Sequence, residues 1–305
     1  MRASVVVPVY NGGACLPECL RALTAQTLPR ADYEIVVVDD GSTDDSANQA
    51  ARFQVRVLRQ SNQGAAAARN KGLSVSNGEW VAFTDADCIP ARDWLERLLT
   101  AVTAKSGADA VLGAAGRTMG VPAGSAPSRF VDLTGAFDAE RYLAHPLFPF
   151  APSGNVMYRR SALQAVGGFD ARYVSYEACE LHHRLLEREA GEFYFEPRAV
   201  VLHRHRSSWP AYVRQQFNYG KGMGQFYWHQ RKKVRWSLGR ELAAWGRLVP
   251  AAAGALLPVR DDRSLIRRGA FLKQFAQRLG FDVTYWNWSE RGRWRKSSPP
   301  NPAGE

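Results

Sequence analysis

Apolar residues in the first third of the chain come in short unbroken runs. Residues 3–9 (Ala-Ser-Val-Val-Val-Pro-Val) end at Tyr10-Asn11-Gly12-Gly13, and residues 34–38 (Glu-Ile-Val-Val-Val) end at Asp39-Asp40-Gly41-Ser42. Residues 81–83 (Val-Ala-Phe) end at Thr84-Asp85-Ala86-Asp87. Continuous apolarity of this kind predicts strands buried on both faces, as in a parallel sheet. Between the first two runs, Leu16, Cys19, Leu20 and Leu23 recur at i, i+3, i+4 and i+7 and predict a helix over residues 15–26. Ser42 to Asp45 offer caps for a second helix. An Ala-rich segment after Gly64 predicts a third, carrying Arg69 and Lys71. The order β-α-β-α implies an α/β fold, a mostly parallel sheet between helices, with polar residues at the strand ends where open sheets bind ligands.

Asp85 and Asp87 stand one residue apart, so strand alternation puts both on one side. Two carboxylates there repel unless a cation joins them, and a divalent metal with oxygen ligands answers that need. A capped strand end has the same residues, because Asp is common in turns. Arg69 and Lys71 suit a diphosphate, or they belong to ordinary helix packing.

Charge changes the picture beyond residue 202. Residues 1–202 carry 20 Lys and Arg against 23 Asp and Glu, whereas residues 203–305 carry 20 against 6. The shift marks a boundary near 205–210, followed by a helical, aromatic, basic extension over 207–290 and a Pro- and Ser-containing, disordered tail over 291–305. Leu265, Leu272, Phe275, Ala276 and Leu279 form a stripe among Arg267, Arg268, Lys273 and Arg278; this reads as a peripheral membrane contact or as a helix packed on the preceding domain with a solvated basic face. No run of 18 apolar residues predicts a transmembrane helix. The start at Met1-Arg2-Ala3 resembles no signal peptide, and four scattered cysteines fit a reduced cytoplasmic protein. Gly220-Lys221-Gly222-Met223-Gly224 follows no strand and is expected to be a hinge or loop, not a phosphate loop. No nucleic-acid module is recognisable, so none is expected as partner. His182 and His183 are expected at a surface or groove. Residues 114–150 are expected to be loops with a short helix near 130–143.

Taken in order, Val-Val-Val-Pro-Val-Tyr-Asn, Val-Val-Asp-Asp-Gly-Ser-Thr-Asp, Gly-Ala-Ala-Ala-Ala-Arg-Asn and Asp-Ala-Asp resemble the family-2 inverting glycosyltransferases of the GT-A fold. Residues 153–160 (Ser-Gly-Asn-Val-Met-Tyr-Arg-Arg) and 167–170 (Gly-Gly-Phe-Asp) resemble that family's acceptor-side segment. The resemblance spans residues 3–206 and implies a glycosyltransferase domain there, with a nucleotide-sugar half over 1–113 and an acceptor half over 114–206. By resemblance, Pro8, Tyr10, Asn11, Asp39, Arg69 and Asp85 bind the nucleotide of a donor, a UDP-sugar being the first choice. Asp87 holds Mg²⁺ or Mn²⁺, with His203 as a further ligand, although Arg204 and Arg206 around it also suit a direct grip on phosphate. Asn155, Gly168 and Asp170 fall on the acceptor side.

The family base lies in a Glu-Asp pair about ten residues after Gly-Gly-Phe-Asp. Here Glu177 falls on the Glu, and Ala178 replaces the Asp. Glu177 is the favoured base and Glu180 the fallback; both also fit the first turn of a helix, where the macrodipole favours carboxylates. The segment 215–219 (Gln-Gln-Phe-Asn-Tyr) lacks the Gln-X-X-Arg-Trp of processive members, so transfer of a single sugar is expected. The expected function is metal-assisted, inverting transfer to a hydroxyl of a glycan or lipid-linked acceptor in envelope polysaccharide or glycoconjugate synthesis, at the inner face of the plasma membrane. The alternatives are a non-catalytic glycan-binding or scaffold homologue, consistent with Ala178, and a sugar nucleotidyltransferase, which would want an Arg in the loop after the first strand.

Overall fold

The first strand, β1 (Ala3–Val9), is buried at all seven positions, as its unbroken apolar run requires. After it come α1 (Leu16–Thr24), β2 (Tyr33–Asp39), α2 (Ser46–Ala51), β3 (Arg56–Arg59), α3 (Ala65–Ser74) and β4 (Trp80–Phe83). The middle of the chain forms β5 (Cys88–Pro90), α4 (Trp94–Thr103), β6 (Val111–Gly120), α5 (Ala126–Thr134), α6 (Ala139–Leu143), β7 (Val156–Arg159) and α7 (Arg160–Ala165). The last elements are α8 (Glu177–Arg188), β8 (Glu192–His203), α9 (Trp209–His229), α10 (Leu238–Leu256) and α11 (Asp262–Arg291). This computed structural model describes residues 1–104, 111–122, 124–135, 137–189, 191–234 and 237–291; of the expected tail, residues 292–305 lie outside that set.

Among the described residues the sheet has eight strands in the order β3-β2-β1-β4-β7-β6-β8-β5. The pairs β3/β2, β2/β1, β1/β4 and β6/β8 are parallel, while β4/β7, β7/β6 and β8/β5 are antiparallel. The sheet is therefore α/β and mixed, with its uniformly parallel part confined to β1–β4. From β1 the chain moves outward to β2 and β3, then returns to place β4 on the other side of β1. That reversal is a topological switch point, and the crevice beyond the strand ends there is where ligands bind. Residues 114–150 hold more regular structure than expected: most of β6 and two short helices.

Two compact units emerge: Met1–Arg172 with Glu177–Ser208, and Tyr173–Tyr176 with the described residues from Trp209 onward. In the first, strand alternation sends Val5 and Val7 to one apolar core with Leu16, Leu20 and Leu98, and Val6 to the opposite core with Leu73, Phe83 and Leu181. His182, expected near a surface, is buried, and burial pushes its pKa down to about 3.

In the second unit, Gly220, Gly222 and Gly224 lie inside α9, not in a hinge. They are small because backbones meet there. A Cβ on Gly220 would fall 2.0 Å from the carbonyl oxygen of Gln277, one on Gly224 would fall 2.6 Å from that of Phe281, and one on Gly280 of α11 would fall 2.1 Å from that of Phe217. Gln216 is buried and accepts a 2.8 Å hydrogen bond from Gln277 across the same seam. Part of the stripe on α11 is core: Leu265 and Ala276 are buried, Leu272 is half-buried, and Phe275 and Leu279 are exposed. Gly280→Ala is expected to cost about 1–3 kcal/mol through overpacking. Gly246→Ala, where the new methyl meets no atom within 4 Å, is expected to stabilise by up to about 1 kcal/mol through helix propensity. Opposite shifts of the denaturant midpoint check both.

Candidate active site

The loops after β1 and β2 are stitched together at the switch point. The amide of Asn11 donates to Ser42 Oγ at 2.9 Å, and Asn11 Oδ1 accepts from the amide of Thr43 at 2.8 Å. Asn11 takes a positive φ of 50° to do so. The amides of Gly12 and Gly13 donate to Ser46 Oγ and Asp44 Oδ2, each at 3.0 Å. Pro8 lies in the part of β1 that pairs only with β2, beyond the last β4 partner, Val6; the missing N–H of proline costs least there. Tyr10 is half exposed at the strand end.

Asp39 is fully buried. Its Oδ1 accepts from the amide of Ser42 at 2.9 Å. Its Oδ2 has no hydrogen-bond partner, although Arg59 Nε is 3.2 Å away. The distance suits an ion pair, but the N–H is not aimed along it. A buried carboxylate oxygen without a donor is costly, so Asp39 Oδ2 is an acceptor in want of an N–H. Asp40 is a loop clamp: it accepts from Gln60 Nε2 and from the amides of Gln63 and Gly64 at 2.7–2.9 Å, fixing the entry to α3.

Arg69, on α3, is buried and forked. One terminal nitrogen donates to Asp85 Oδ1 at 2.7 Å and the other to Glu177 Oε1 at 2.8 Å. Burial opposes its charge, but Asp85 and Glu177 outweigh that and hold its pKa above the ordinary guanidinium value. Its fork is spent on these two carboxylates. Glu177 opens α8, and Ala178 beside it is buried. Glu180 gives both oxygens to Arg184, at 2.7 and 2.6 Å, while Arg69 takes only one oxygen of Glu177.

Asp87, Cys88 and His203 each bring a ligand atom within 4.8 Å of the others. The register explains the meeting, because Cys88 of β5 pairs with His203 of β8. His203 Nε2 lies 3.5 Å from Asp87 Oδ1. Burial pushes the Asp87 pKa up, His203 pulls it down and Asp85 pushes it up again, with a net rise. Burial, with Asp85 and Asp87, raises the Cys88 thiol well above its usual value. A thiol so raised is a poor ligand; the Asp87 carboxylate is the hard oxygen donor that suits Mg²⁺ or Mn²⁺, and the His203 imidazole is a borderline nitrogen donor beside it. Arg204 is paired with Glu18. His205 sits beside His203 and Asp132, and burial lowers its pKa to about 4.

The acceptor-side residues are placed differently from expectation. Asn155 is buried and fully bonded: Oδ1 accepts from Trp94 Nε1 at 2.7 Å, and Nδ2 donates to the carbonyls of Arg117 and Ala199. Its side chain joins strands. Gly168, at φ 68°, closes α7 through its amide on the carbonyl of Leu163, and its own carbonyl accepts from Arg184. It too is structural. Asp170 holds Arg172 in a bidentate pair. Cys88, His205 and Asp132 were missed as members of the site. Cys88 directly follows Asp87, a signal that a search for paired cysteines passes over; Asp132 carries no local signal.

A model of the family described as "Glycosyl transferase family 2" matches residues 4–167. Glycosyltransferase AglE of Haloferax volcanii is 30% identical over 239 residues, 76% of this chain and 76% of its own length. A pre-mycofactocin glycosyltransferase of Mycobacterium tuberculosis is 32% identical over 228 residues, 71% of this chain but 46% of its own length. Among solved structures, the mannosyltransferase PcManGT from Pyrobaculum calidifontis, in complex with GDP-Man and Mn²⁺, superposes with a TM-score of 0.65 at 19% identity, covering 94% of this chain and 87% of its own.

Arg69→Met would leave Asp85 and Glu177 facing each other without a cation. We expect a loss of about 3 kcal/mol, the low end for a broken buried pair, because the Asp85 side chain is 32% exposed. Chemical denaturation reads it, and Glu177→Gln in the same chain should recover part of the loss.

Proposed function

The chain belongs to glycosyl transferase family 2, and from that premise we propose that it moves one sugar, with inversion, from a nucleoside-diphosphate sugar to a hydroxyl of a glycan or lipid-linked acceptor. It is a transferase with the GT-A fold. The observation that carries the finer reading is the end of β4. There Asp87 faces His203, and two residues earlier Asp85 is tied through Arg69 to Glu177. One short segment after β4 thereby carries the donor-side carboxylates and is linked through Arg69 to Glu177 on α8.

In this reading Tyr10 lies against the nucleobase, and Asp39 Oδ2 accepts the ring N–H that its burial calls for. Asp85 approaches the ribose. Asp87 and His203 would hold Mg²⁺ or Mn²⁺, which when bound offsets charge on the departing diphosphate. Glu177 takes the proton from the acceptor hydroxyl as that oxygen bonds to the anomeric carbon and the bond to diphosphate breaks on the opposite face. Glu177 is favoured over Glu180 because one of its oxygens is uncommitted. A UDP-sugar is the first donor to test; GDP-mannose, the donor in the PcManGT complex, is the second.

UDP or GDP at about 100 times Kd, with Mn²⁺, is expected to stabilise the protein by about 2.7 kcal/mol through mass action. The gain should vanish in Asp87→Ala and persist in Glu177→Gln, which should transfer sugar about 10²–10⁴-fold more slowly. Thermal shifts and a transfer assay check this. No stabilisation by any nucleotide would sink the donor site, and full transfer by Glu177→Gln would move the base to Glu180.

The proposed membrane contact falls on α10. Leu242, Val249 and Leu256 repeat every seven residues on one face and are 63%, 72% and 84% exposed. Exposed Arg240, Arg247 and Arg260 lie nearby in the chain. Apolar side chains with arginines about them suit the inner, anionic leaflet of a plasma membrane. Among the described residues no helix is long and apolar enough to cross one. The protein is expected to sediment with phosphatidylglycerol vesicles, and Val249→Asp with Leu256→Asp should release it; undiminished sedimentation of that variant would rule out this face.

A further inference from the structure

Two histidines and two carboxylates form a chain of contacts that ends at the proposed cation site. Asp132 Oδ1 lies 3.2 Å from His205 Nε2, His205 Nδ1 lies 2.9 Å from His203 Nδ1, and His203 Nε2 lies 3.5 Å from Asp87 Oδ1. The arrangement is built. Phe137 covers both rings, 5.0 Å from His203 and stacked at 12° on His205, and takes a φ of 66° there. Gly120 pairs with His203 across β6 and β8, and a Cβ on it would fall 1.8 Å from Asp132 Oδ1. Only glycine lets that carboxylate come so close to the strand.

A neutral imidazole carries one N–H and one lone pair. The contact between the two Nδ1 atoms therefore has two possible protonation patterns. If His203 donates, its Nε2 is a lone pair facing Asp87, and the N–H of His205 faces Asp132. If His205 donates, the N–H of His203 faces Asp87, and a lone pair of His205 faces the Asp132 carboxylate. Each pattern leaves one carboxylate opposite a lone pair. At 3.2 Å the Asp132 contact is the closer of the two, against 3.5 Å at Asp87. Of the two imidazoles, His205 is the more enclosed at 4% exposure against 12% for His203, while the carboxylates of Asp132 and Asp87 keep 37% and 24%.

We infer that Asp132 and His205 are positioning residues that hold His203 as the Nδ1–H tautomer, so that its Nε2 lone pair and the Asp87 carboxylate face one point and together accept a divalent cation. Partners behind a metal-binding histidine fix its tautomer and orientation in this way. The inference deepens the reading of Asp87 and His203 as the cation site and rests on it, but the tautomer is measurable without any metal.

The test uses the full chain, ¹⁵N-labelled, metal-free, at pH 8. Long-range ¹H–¹⁵N correlation of the imidazoles should place the His203 proton on Nδ1. In His205→Ala it should move to Nε2, the nitrogen that an unconstrained histidine prefers. In His205→Gln it should return to Nδ1, because the amide oxygen accepts the same hydrogen bond. Titration with Mn²⁺ alone, read as free Mn²⁺ by electron paramagnetic resonance, should show affinity about 10–100-fold weaker in His205→Ala, weakened also in Asp132→Ala, and close to wild type in His205→Gln. A wild-type proton on Nε2, or undiminished Mn²⁺ affinity in His205→Ala, overturns the inference. If wild type binds no Mn²⁺ while the tautomers follow the expected pattern, the metal reading fails and the tautomer lock stands.

Discussion

A guanidinium buried inside a protein must have its charge answered nearby, and Arg69 is answered from two elements distant in the chain. Asp85 comes from the end of β4 and Glu177 from the first turn of α8, and either ion pair alone would leave half of the fork unused. The requirement pins β4, α3 and α8 to one place. The rest of α3 is shaped to permit it. Gly72 lies so close to β1 that a Cβ would be 2.3 Å from Val6, and Asn70 brackets the backbone of Phe169 with two hydrogen bonds of 2.7 and 2.8 Å. Small residues lower the helix onto the sheet, and the next residues fasten the segment that leads into α8.

The second constraint is the change of strand direction at β4. On one side lie the parallel strands whose loops are stitched by Asn11, Ser42 and Ser46; on the other lies antiparallel β7. Residues that leave β4 therefore sit between two differently built regions. Asp85 leans on Arg69, and Asp87 leans toward the β5–β8 edge. Each of two carboxylates one residue apart is compensated by a different positive or polar neighbour, although Asp85 still raises the pKa of Asp87.

Much of this was legible in the chain. Unbroken Val-rich runs marked β1, β2 and β4, the i, i+3, i+4, i+7 spacing marked the buried face of α1, and the polar strand ends marked the loops of the candidate site. What stayed hidden depends on partners distant in sequence. Periodicity reports that a residue is buried but not what it meets. Gly220 and Gly224 looked like a loop because the α11 backbone they accommodate lies some sixty residues on. Asn155 looked like an acceptor contact because nothing local shows that Trp94 and two carbonyls consume it. Polar residues in helices were ambiguous for the same reason: His182 is core, although its neighbours are charged.

The strand that brings His203 is the last in the sheet, yet it lies between β6 and β5, not at an edge. Its partner Cys88, next to Asp87, appears about 115 residues earlier in the chain. Pairings of such long separation form late, since loop closure must precede the contacts that reward it. During synthesis the carboxylate therefore exists long before the imidazole, and a nascent domain that ends at β7 has half of the proposed cation site. In the proposed reading, cation binding is a property of the completed sheet alone: it would add its free energy after the final insertion and lend none to unfinished intermediates.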